Sequence, residues 1–460
     1  MAIHSKYFWM YLLLALAVCL GQILGSTVLL LGILALFMLL MGWSCAKEFT
    51  LPALLFFLPW SQILRTGPDE FSFFTFGIVL VCVISLIKRR FWLRRYHLAA
   101  GIGLLALTLF AKLLDGSFLA FDYIAFIMML FLFPVVKEEW VKREYDFFEV
   151  VFFFSAGTVA AALCAKAFSI YPNIARYINI HSYLNIIRMS GFYGDPNFYC
   201  AQILAALGGC FVAVLRENSR RRITLASVMA VVLIYCGSLS GSKSFALIAA
   251  IIVLLWASEM IRMRGKAGRK ILLIIGGIAV AVFIATSALF KGLIEMFITR
   301  FSFTRDMSSF TTGRTELWDS YLKEIFNSAK ILLVGKGFTD IKVNDRAPHN
   351  TIIQAVFQFG IIGIPMLLGW CGGFFRETYP GYKTETKWQL SALILATGAF
   401  VPWLALDILF FDEFFLLQWF VFAGIRQLRC GYSSESKGIE EDTPSGPRTR
   451  KRAAMRFVWR

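Results

Sequence analysis

The sequence has few of the residues that build metal, redox or disulfide sites. Its nine cysteines form no CxxC pair and lie mostly inside apolar runs, so neither a disulfide framework nor a metal site is indicated. Only four histidines are present, which leaves few candidates for a general base. The centres of the apolar runs lack ionisable residues, which an ion-coupled transporter would need near mid-membrane. These absences argue against a disulfide-stabilised fold, a Cys/His metal site and an ion-coupled transporter.

Apolar side chains are abundant instead. The chain is 58% hydrophobic with a mean hydropathy of +0.69, far more apolar than a soluble domain. About 20 apolar residues cross the ~30 Å hydrocarbon layer as a helix, and this criterion gives candidate spans at 7–24, 26–45, 50–64, 71–87, 98–114, 118–136, 147–167, 196–215, 223–240, 243–260, 271–289, 351–375, 388–409 and 411–426. We therefore expect an all-α polytopic membrane protein with 12–14 transmembrane helices over residues 1–426. Whether 50–64 and the two spans within 223–260 cross fully is left open.

The distribution of Lys and Arg predicts the orientation. Every second gap between spans is rich in cations, as in the clusters 88–95 and 262–270, and such gaps stay on the cytoplasmic side. Both termini are thus predicted to be cytoplasmic, with no cleavable signal peptide. The net charge of +17 then reflects an anionic membrane face rather than a nucleic-acid partner. The basic segment 427–460 is expected to be a disordered cytoplasmic tail.

Two long connections, 168–195 and 290–350, face outward in this topology and are the places to look for function. The first ends in "RMSGFYGDPNFY", residues 188–199, where Asp195 is a predicted N-cap and Pro196 occupies the first helical position. Unpaired amides at this helix N-terminus suit an anion. Arg188 arrives on a glycine-containing loop, and Asn197 lies in the first helical turn. The alternative interpretation is a capped helix beside an ordinary loop arginine.

Two further motifs place cations at the predicted outer face. In "SLSGSKSFAL", residues 238–247, small residues permit close backbone approach and Lys243 lies where the chain re-enters the membrane; snorkelling is the simpler interpretation. In "TTGRTELWDSYLKEIF", residues 311–326, an apolar stripe follows helical spacing and consists of Leu317, Trp318, Tyr321, Leu322, Ile325 and Phe326. Arg314 falls on this stripe, at the first turn of the predicted helix. A cation there opposes both the pattern and the helix dipole, which indicates either function or a structural salt bridge.

The stretch "DRAPHNTIIQ", residues 345–354, carries His349 beside Asn350 at the start of a predicted span. A cationic imidazolium is disfavoured at a helix N-terminus, so the position favours a neutral His349 that can accept a proton. A boundary histidine without function remains the alternative.

Taken in order, "RMSGFYGDPNF", "SLSGSKS", "TTGRTELW" and "APHNTIIQAVFQFGIIG" resemble the O-antigen ligase and polymerase superfamily, the WaaL and Wzy proteins. The resemblance covers residues 188–366, and the third motif is closer to a Wzy-type polysaccharide polymerase. It implies a GT-C-like fold in the bacterial inner (cytoplasmic) membrane, with the active site on the outer face. It also implies a metal-independent glycosyltransferase without a cofactor.

By the same resemblance, the donor is an undecaprenyl-pyrophosphate-linked oligosaccharide. Arg188, Arg314 and His349 take the catalytic roles, with the outer loop 290–350 as the catalytic loop. Lys243, Asp195, Asn197 and Asn350 are expected to bind the pyrophosphate or the glycan. Relatives often have Arg where this chain has Lys243, and lysine lacks the bidentate fork of a guanidinium. Membrane lipids and flippase or chain-length regulator proteins are the expected partners.

The expected activity is polymerisation of repeat units into O-antigen or capsule. The first alternative is a ligase that transfers the finished glycan to lipid A-core or another acceptor. A lipid-linked glycan flippase or transporter, and a non-catalytic scaffold for polysaccharide assembly, are hypotheses from other classes.

Overall fold

A computed structural model describes residues 5–68, 70–88, 94–115, 120–141, 145–178, 181–183, 186–262, 288–302, 311, 313–338, 342–378 and 389–437. The helices in these ranges are α1 (Ser5–Leu24), α2 (Thr27–Ala46), α3 (Thr50–Phe57), α4 (Phe73–Lys88), α5 (Arg95–Asp115), α6 (Ala120–Trp140), α7 (Phe147–Phe168), α8 (Pro172–Ala175), α9 (Pro196–Arg216), α10 (Arg220–Ser238), α11 (Lys243–Arg262), α12 (Ala288–Ser302), α13 (Arg314–Asn327), α14 (Ala329–Val334), α15 (Thr351–Thr378), α16 (Gln389–Phe400) and α17 (Asp412–Lys437). One small antiparallel hairpin pairs β1 (His181–Tyr183) with β2 (Ile186–Arg188).

The all-α, polytopic membrane architecture is confirmed. Within the described residues, eight helices are long and apolar enough to cross a membrane: Lys6–Leu24, Thr27–Ala46, Arg95–Asp115, Phe147–Phe168, Pro196–Arg216, Arg220–Ser238, Lys243–Arg262 and Thr351–Phe374. Four shorter apolar helices accompany them: Thr50–Trp60, Phe73–Lys88, Phe126–Val136 and Gln389–Ala405. The predicted span 271–289 lies almost entirely outside the described residues, so the total of 12–14 stays a prediction.

The two segments whose crossing was left open, 50–64 and 223–260, differ in the structure. Segment 223–260 forms two separate full-length helices, α10 and α11, because Gly241 adopts a left-handed turn between them (φ 56°). Segment 50–64 gives only α3 and one turn of 3₁₀ helix, and every side chain of α3 is buried. A helix of this length spans only about half of the hydrocarbon layer. It is a core element packed on α7, where Gly157 lets the carbonyl of Phe56 approach.

The core is centred on α9, which is buried along almost its whole length. Small residues allow its neighbours to approach closely: a Cβ on Gly398 of α16 would lie 2.5 Å from the carbonyl oxygen of Leu204. Close backbone approach at small residues is the usual packing mode of helices in membranes. Because α9 follows directly from the loop that bears Arg188, this packing also holds the end of that loop in place.

Polar contacts join helix ends that the sequence assigns to the same face. On the predicted outer face, Gln22 donates to the carbonyls of Ile63 (3.1 Å) and Arg65 (2.7 Å). The predicted cytoplasmic face has equivalent contacts, in which Lys88 donates to Ala46 O (3.0 Å), Arg426 donates to Val141 O (2.5 Å) and Arg222 pairs with Asp146 (2.6 Å). The grouping of ends therefore agrees with the predicted alternation. Which face is outer remains a prediction.

Three features differ from the expected organisation. The long connection 290–350 contains α12 and α14 in addition to the predicted helix, which is α13. The apolar run 351–375 is broken at Gly360, which has φ 59° and ψ −177°. The first part of the predicted disordered tail, 427–437, is the end of α17, because that helix continues past its apolar portion; residues 438–460 lie outside the described residues.

Candidate active site

The loop bearing Arg188 is folded by its glycines and by the helix that follows. Gly191 and Gly194 have positive φ (57° and 68°), and a Cβ on Gly191 would lie 2.6 Å from the ring of Tyr199. Asp195 caps α9 as predicted, accepting a 2.6 Å hydrogen bond from the amide of Asn197. The loop thus folds back against the first turn of α9. Arg188 is the last residue of the β1–β2 hairpin, which directly precedes this loop.

The second motif docks onto this loop. Arg188 Nε donates to the carbonyl oxygen of Ser240 (2.9 Å), and the amide of Met189 donates to Leu239 O (3.0 Å). Ser242 Oγ donates to Asn197 Oδ1 (3.3 Å). Binding through Nε fixes the guanidinium plane and leaves its two terminal nitrogens for another ligand. "RMSGFYGDPNFY" and "SLSGSKSFAL" therefore form one wall of the site.

Arg314 is the first residue of α13, directly after Gly313 in a left-handed conformation (φ 79°). Within the described residues, no side chain or carbonyl accepts a hydrogen bond from its guanidinium. Burial lowers its pKa, and the neighbouring charge of Arg188 lowers it further, while Asp195 and Asp407 oppose the shift. Burial likewise lowers the pKa of Arg188, with Asp195 opposing. Two partly buried guanidinium groups therefore lie near enough for their charges to interact.

Helix α13 also holds the segment that presents His349. Trp318 Nε1 donates to Pro348 O (2.9 Å), and the Tyr321 hydroxyl donates to Arg346 O (2.7 Å). Tyr321 and Ile325 of the predicted stripe are buried, whereas Leu322 and Phe326 are 41% and 67% exposed. The stripe is therefore narrower than predicted. Its buried part packs on α15, with Tyr321 edge-on to Phe357 at 5.0 Å.

His349 has a left-handed backbone (φ 46°) immediately before α15. Asn350 caps this helix, its side-chain oxygen accepting from the amides of Ile352 (2.9 Å) and Ile353 (3.2 Å). Such a conformation costs a non-glycine residue energy and is found mostly where the surroundings enforce it. Here the cap on one side and the bond from Trp318 on the other enforce it.

The carboxylate of Asp407 lies 3.2 Å from His349 Nδ1. Asp407 belongs to the non-helical segment before α17, and Thr351 and Gln354 of α15 hold that segment through Leu406 O (2.7 Å) and the amide of Leu409 (3.1 Å). A carboxylate at Nδ1 keeps a proton on that nitrogen, so that Nε2 is the acceptor. The imidazole remains 35% exposed, against 18% for Asp407, so a hydroxyl can reach it.

Three of the predicted residues thus share one region. The charges of Arg188 and Asp407 both act on Arg314, and Asp407 contacts His349. The interactions therefore connect Arg188 to His349 through Arg314 and Asp407. Asp195 belongs to the same electrostatic group. Cations at one side and a carboxylate-oriented imidazole at the other suit a reaction in which an anionic group leaves while a proton is removed from a nucleophile.

The other four predicted site residues make contacts within the protein. The ammonium of Lys243 lies 5.8 Å from the ring centroid of Phe301, a cation–π contact. Asn197 and Asn350 use their side-chain oxygens within the protein, towards Ser242 and as a helix cap. Asp195 likewise caps α9. Binding of substrate by these four residues stays a prediction.

Asp407 is the site residue that sequence reasoning missed as such. By the predicted topology it is one of several acidic residues near the outer ends of spans, and nothing in "LALDILFF" distinguishes it from the others. In the structure, the predicted span 388–409 leaves the helical conformation after Ala405, and Asp407 is the one carboxylate between that point and the start of α17.

The described residues bring no group of three or more His, Cys, Asp or Glu together as a metal site would; the metal independence of the reaction stays a prediction. No family model and no curated protein matches the chain.

Proposed function

We propose that this protein is an extracytoplasmic glycosyltransferase that takes an oligosaccharide from a polyprenyl-pyrophosphate carrier, and that it polymerises repeat units into a surface polysaccharide. One observation carries the proposal. The guanidinium of Arg314 lies partly desolvated beside Arg188, and no described residue accepts a hydrogen bond from it. Holding two like charges together with partial loss of hydration is unfavourable, and an anionic ligand would offset that free-energy cost.

His349 supplies the other half of the chemistry. Its Nε2 takes the proton from an attacking sugar hydroxyl, while Nδ1–H donates to Asp407. The hydroxyl oxygen bonds to the anomeric carbon as the bond from that carbon to the pyrophosphate oxygen breaks. Negative charge then grows on the leaving pyrophosphate, where Arg188 and Arg314 stabilise it. The resemblance to the WaaL and Wzy proteins points to the same reaction.

The acceptor decides between a polymerase and a ligase, and the similarity of "TTGRTELWDSY" to polymerases favours the former. Deletion of the gene followed by gel analysis of surface glycan tests the choice. A polymerase predicts products with a single repeat unit. Full-length chains stranded on the lipid carrier would instead identify a ligase, and an unchanged glycan pattern would contradict both.

A further inference from the structure

Thr351 bonds to the backbone on both sides of Asp407. It is the first residue of α15, and its hydroxyl donates to Leu406 O (2.7 Å) and accepts a longer bond from the amide of Ile408 (3.5 Å). A hydroxyl can donate one bond and accept others at the same time. The residue is 7% exposed, so these bonds form away from solvent. The backbone that carries Asp407 is therefore tied to the start of α15.

Gln354 makes a third bond to the same segment. Its side-chain oxygen accepts from the amide of Leu409 (3.1 Å), and the residue is 6% exposed. Thr351 and Gln354 are three positions apart, which places them on one face of the helix. Residues 406–408 have no helical or strand structure of their own, and buried backbone groups need partners. The two side chains supply such partners in place of secondary structure.

His349 is held at the start of the same helix. It lies two residues before Thr351, with the capping residue Asn350 between them. Both members of the His349–Asp407 pair are thus positioned from one helical turn, His349 through the chain and Asp407 through hydrogen bonds. Their separation of 3.2 Å is therefore governed by the side chains of Thr351 and Gln354.

We propose that Thr351 and Gln354 are positioning residues for the transfer reaction, which hold the carboxylate of Asp407 at Nδ1 of His349. This role rests on the proposed function, in which Nε2 of the same ring takes the proton. Without the two side chains, segment 406–409 is free to move, and the carboxylate no longer fixes the tautomer or the orientation of the imidazole. Because both residues are almost fully buried, they act through Asp407 rather than on the substrate.

Steady-state transfer rates of purified variants test the role of Thr351. Thr351→Val keeps the shape but loses both hydrogen bonds, and we expect the turnover number to fall roughly 10- to 100-fold, with KM changed less than about threefold. Thr351→Ser retains the hydroxyl and should recover most of the rate. Thr158→Val is the matched control, because this buried threonine also donates to a carbonyl, Phe154 O (2.8 Å), but within its own helix α7. It should keep the wild-type rate.

A double-mutant cycle shows whether the effect passes through Asp407. In an Asp407→Asn background, Thr351→Val should cause little further loss, because the carboxylate that Thr351 positions is already absent. Gln354→Met, which removes the acceptor and keeps the length of the side chain, should behave in the same way. Equal fold losses in the wild-type and Asp407→Asn backgrounds would overturn the positioning role.

Amide hydrogen exchange gives a second measurement that does not depend on activity. The amide of Ile408 in Thr351→Val, and that of Leu409 in Gln354→Met, should exchange roughly fivefold faster than in the wild type, since each loses a hydrogen bond. Mass spectrometry of peptides that cover residues 406–411 measures this change. Unchanged exchange, or a full turnover number in Thr351→Val beside an active wild type, would overturn the positioning role alone. Absence of transfer by the wild-type protein would contradict the proposed function, and this inference with it.

Discussion

At the residue scale, the site depends on how Asp407 orients His349. The carboxylate fixes the proton on Nδ1 at a heavy-atom distance of 3.2 Å, which leaves Nε2 to accept. Asp407→Asn keeps the size but lets the amide favour the other tautomer. We expect the turnover number to fall roughly 10²- to 10⁴-fold, with a smaller change in KM.

Steady-state kinetics on the purified variants measure this effect. Asp412→Asn is the matched control, because that carboxylate accepts from Thr75 (2.9 Å) rather than from the imidazole. A full turnover number in Asp407→Asn would remove Asp407 from the mechanism.

We expect Arg314 to lower the stability of the fold while contributing to the reaction. Its lowered pKa means that the charged form is less favourable in the folded protein than in water, and at neutral pH the guanidinium is protonated in both states. Arg314→Gln should therefore leave Tm equal or higher. Transfer activity should fall roughly hundredfold, since one cation facing the leaving group is lost.

Thermal melting and transfer rates on the same preparation test this combination. Lys323→Gln is the control, because its side chain is 70% exposed on the same helix and forms an ion pair with the likewise exposed Asp319 of that helix. A marked drop in Tm for Arg314→Gln would identify Arg314 as a structural cation.

At the scale of elements, α13 acts as the support of the His349 segment. Trp318→Phe removes one hydrogen bond, to Pro348 O, and keeps most of the ring packing. The stability change should be about 1 kcal/mol, whereas the turnover number should fall several-fold because the imidazole is held less firmly. Trp9→Phe, at a 58% exposed position of α1, is the control. Equal rates for both variants would argue against α13 as a support.

The break in α15 is the second element-scale feature. At Gly360, φ is 59° and a Cβ would lie 2.4 Å from the backbone of Leu333. The amides of Lys336 and Gly337 bond to the carbonyls of Phe357 and Gln358, both at 2.9 Å, so the loop after α14 is docked against α15 just before the break.

Gly360→Ala should lower stability by about 1–3 kcal/mol through backbone strain alone, and the overlap with Leu333 adds to this. Gly369→Ala lies in the same helix with nothing within 4 Å of its Cβ, and its Tm should be unchanged or higher. Equal melting temperatures for the two variants would show that the break is dispensable.

Local sequence signals predicted some of these elements well. Asp195 followed by Pro196 marked the start of α9 because capping is a property of adjacent residues. The break at Gly360 was missed because an apolar run with one glycine has the same composition whether or not it is kinked. The resemblance predicts Asn350 as a substrate ligand, whereas its role as a helix cap is seen only in the geometry of the following amides.

At the scale of the whole molecule, hydropathy predicted the class of fold because the membrane requires long apolar helices. That residues 188, 314 and 349 lie in one region could be predicted only through the resemblance, because the number of residues between them does not determine their distance in space. Asp407 lies 58 residues beyond its partner and reaches it only through the packing of the segment before α17 on α15. Pairing of this kind has no local signature.

The central claim is that the two arginines and the oriented histidine on one face transfer a glycan from a pyrophosphate-linked lipid. Its most direct test is to reconstitute the purified protein in vesicles with a polyprenyl-pyrophosphate-linked oligosaccharide and to measure both the longer glycan and the released polyprenyl pyrophosphate. We expect the two products in equal amounts, unaffected by EDTA, and at least about a hundredfold slower in His349→Ala. Undiminished product formation by His349→Ala, or movement of the donor across the bilayer without release of polyprenyl pyrophosphate, would contradict the claim.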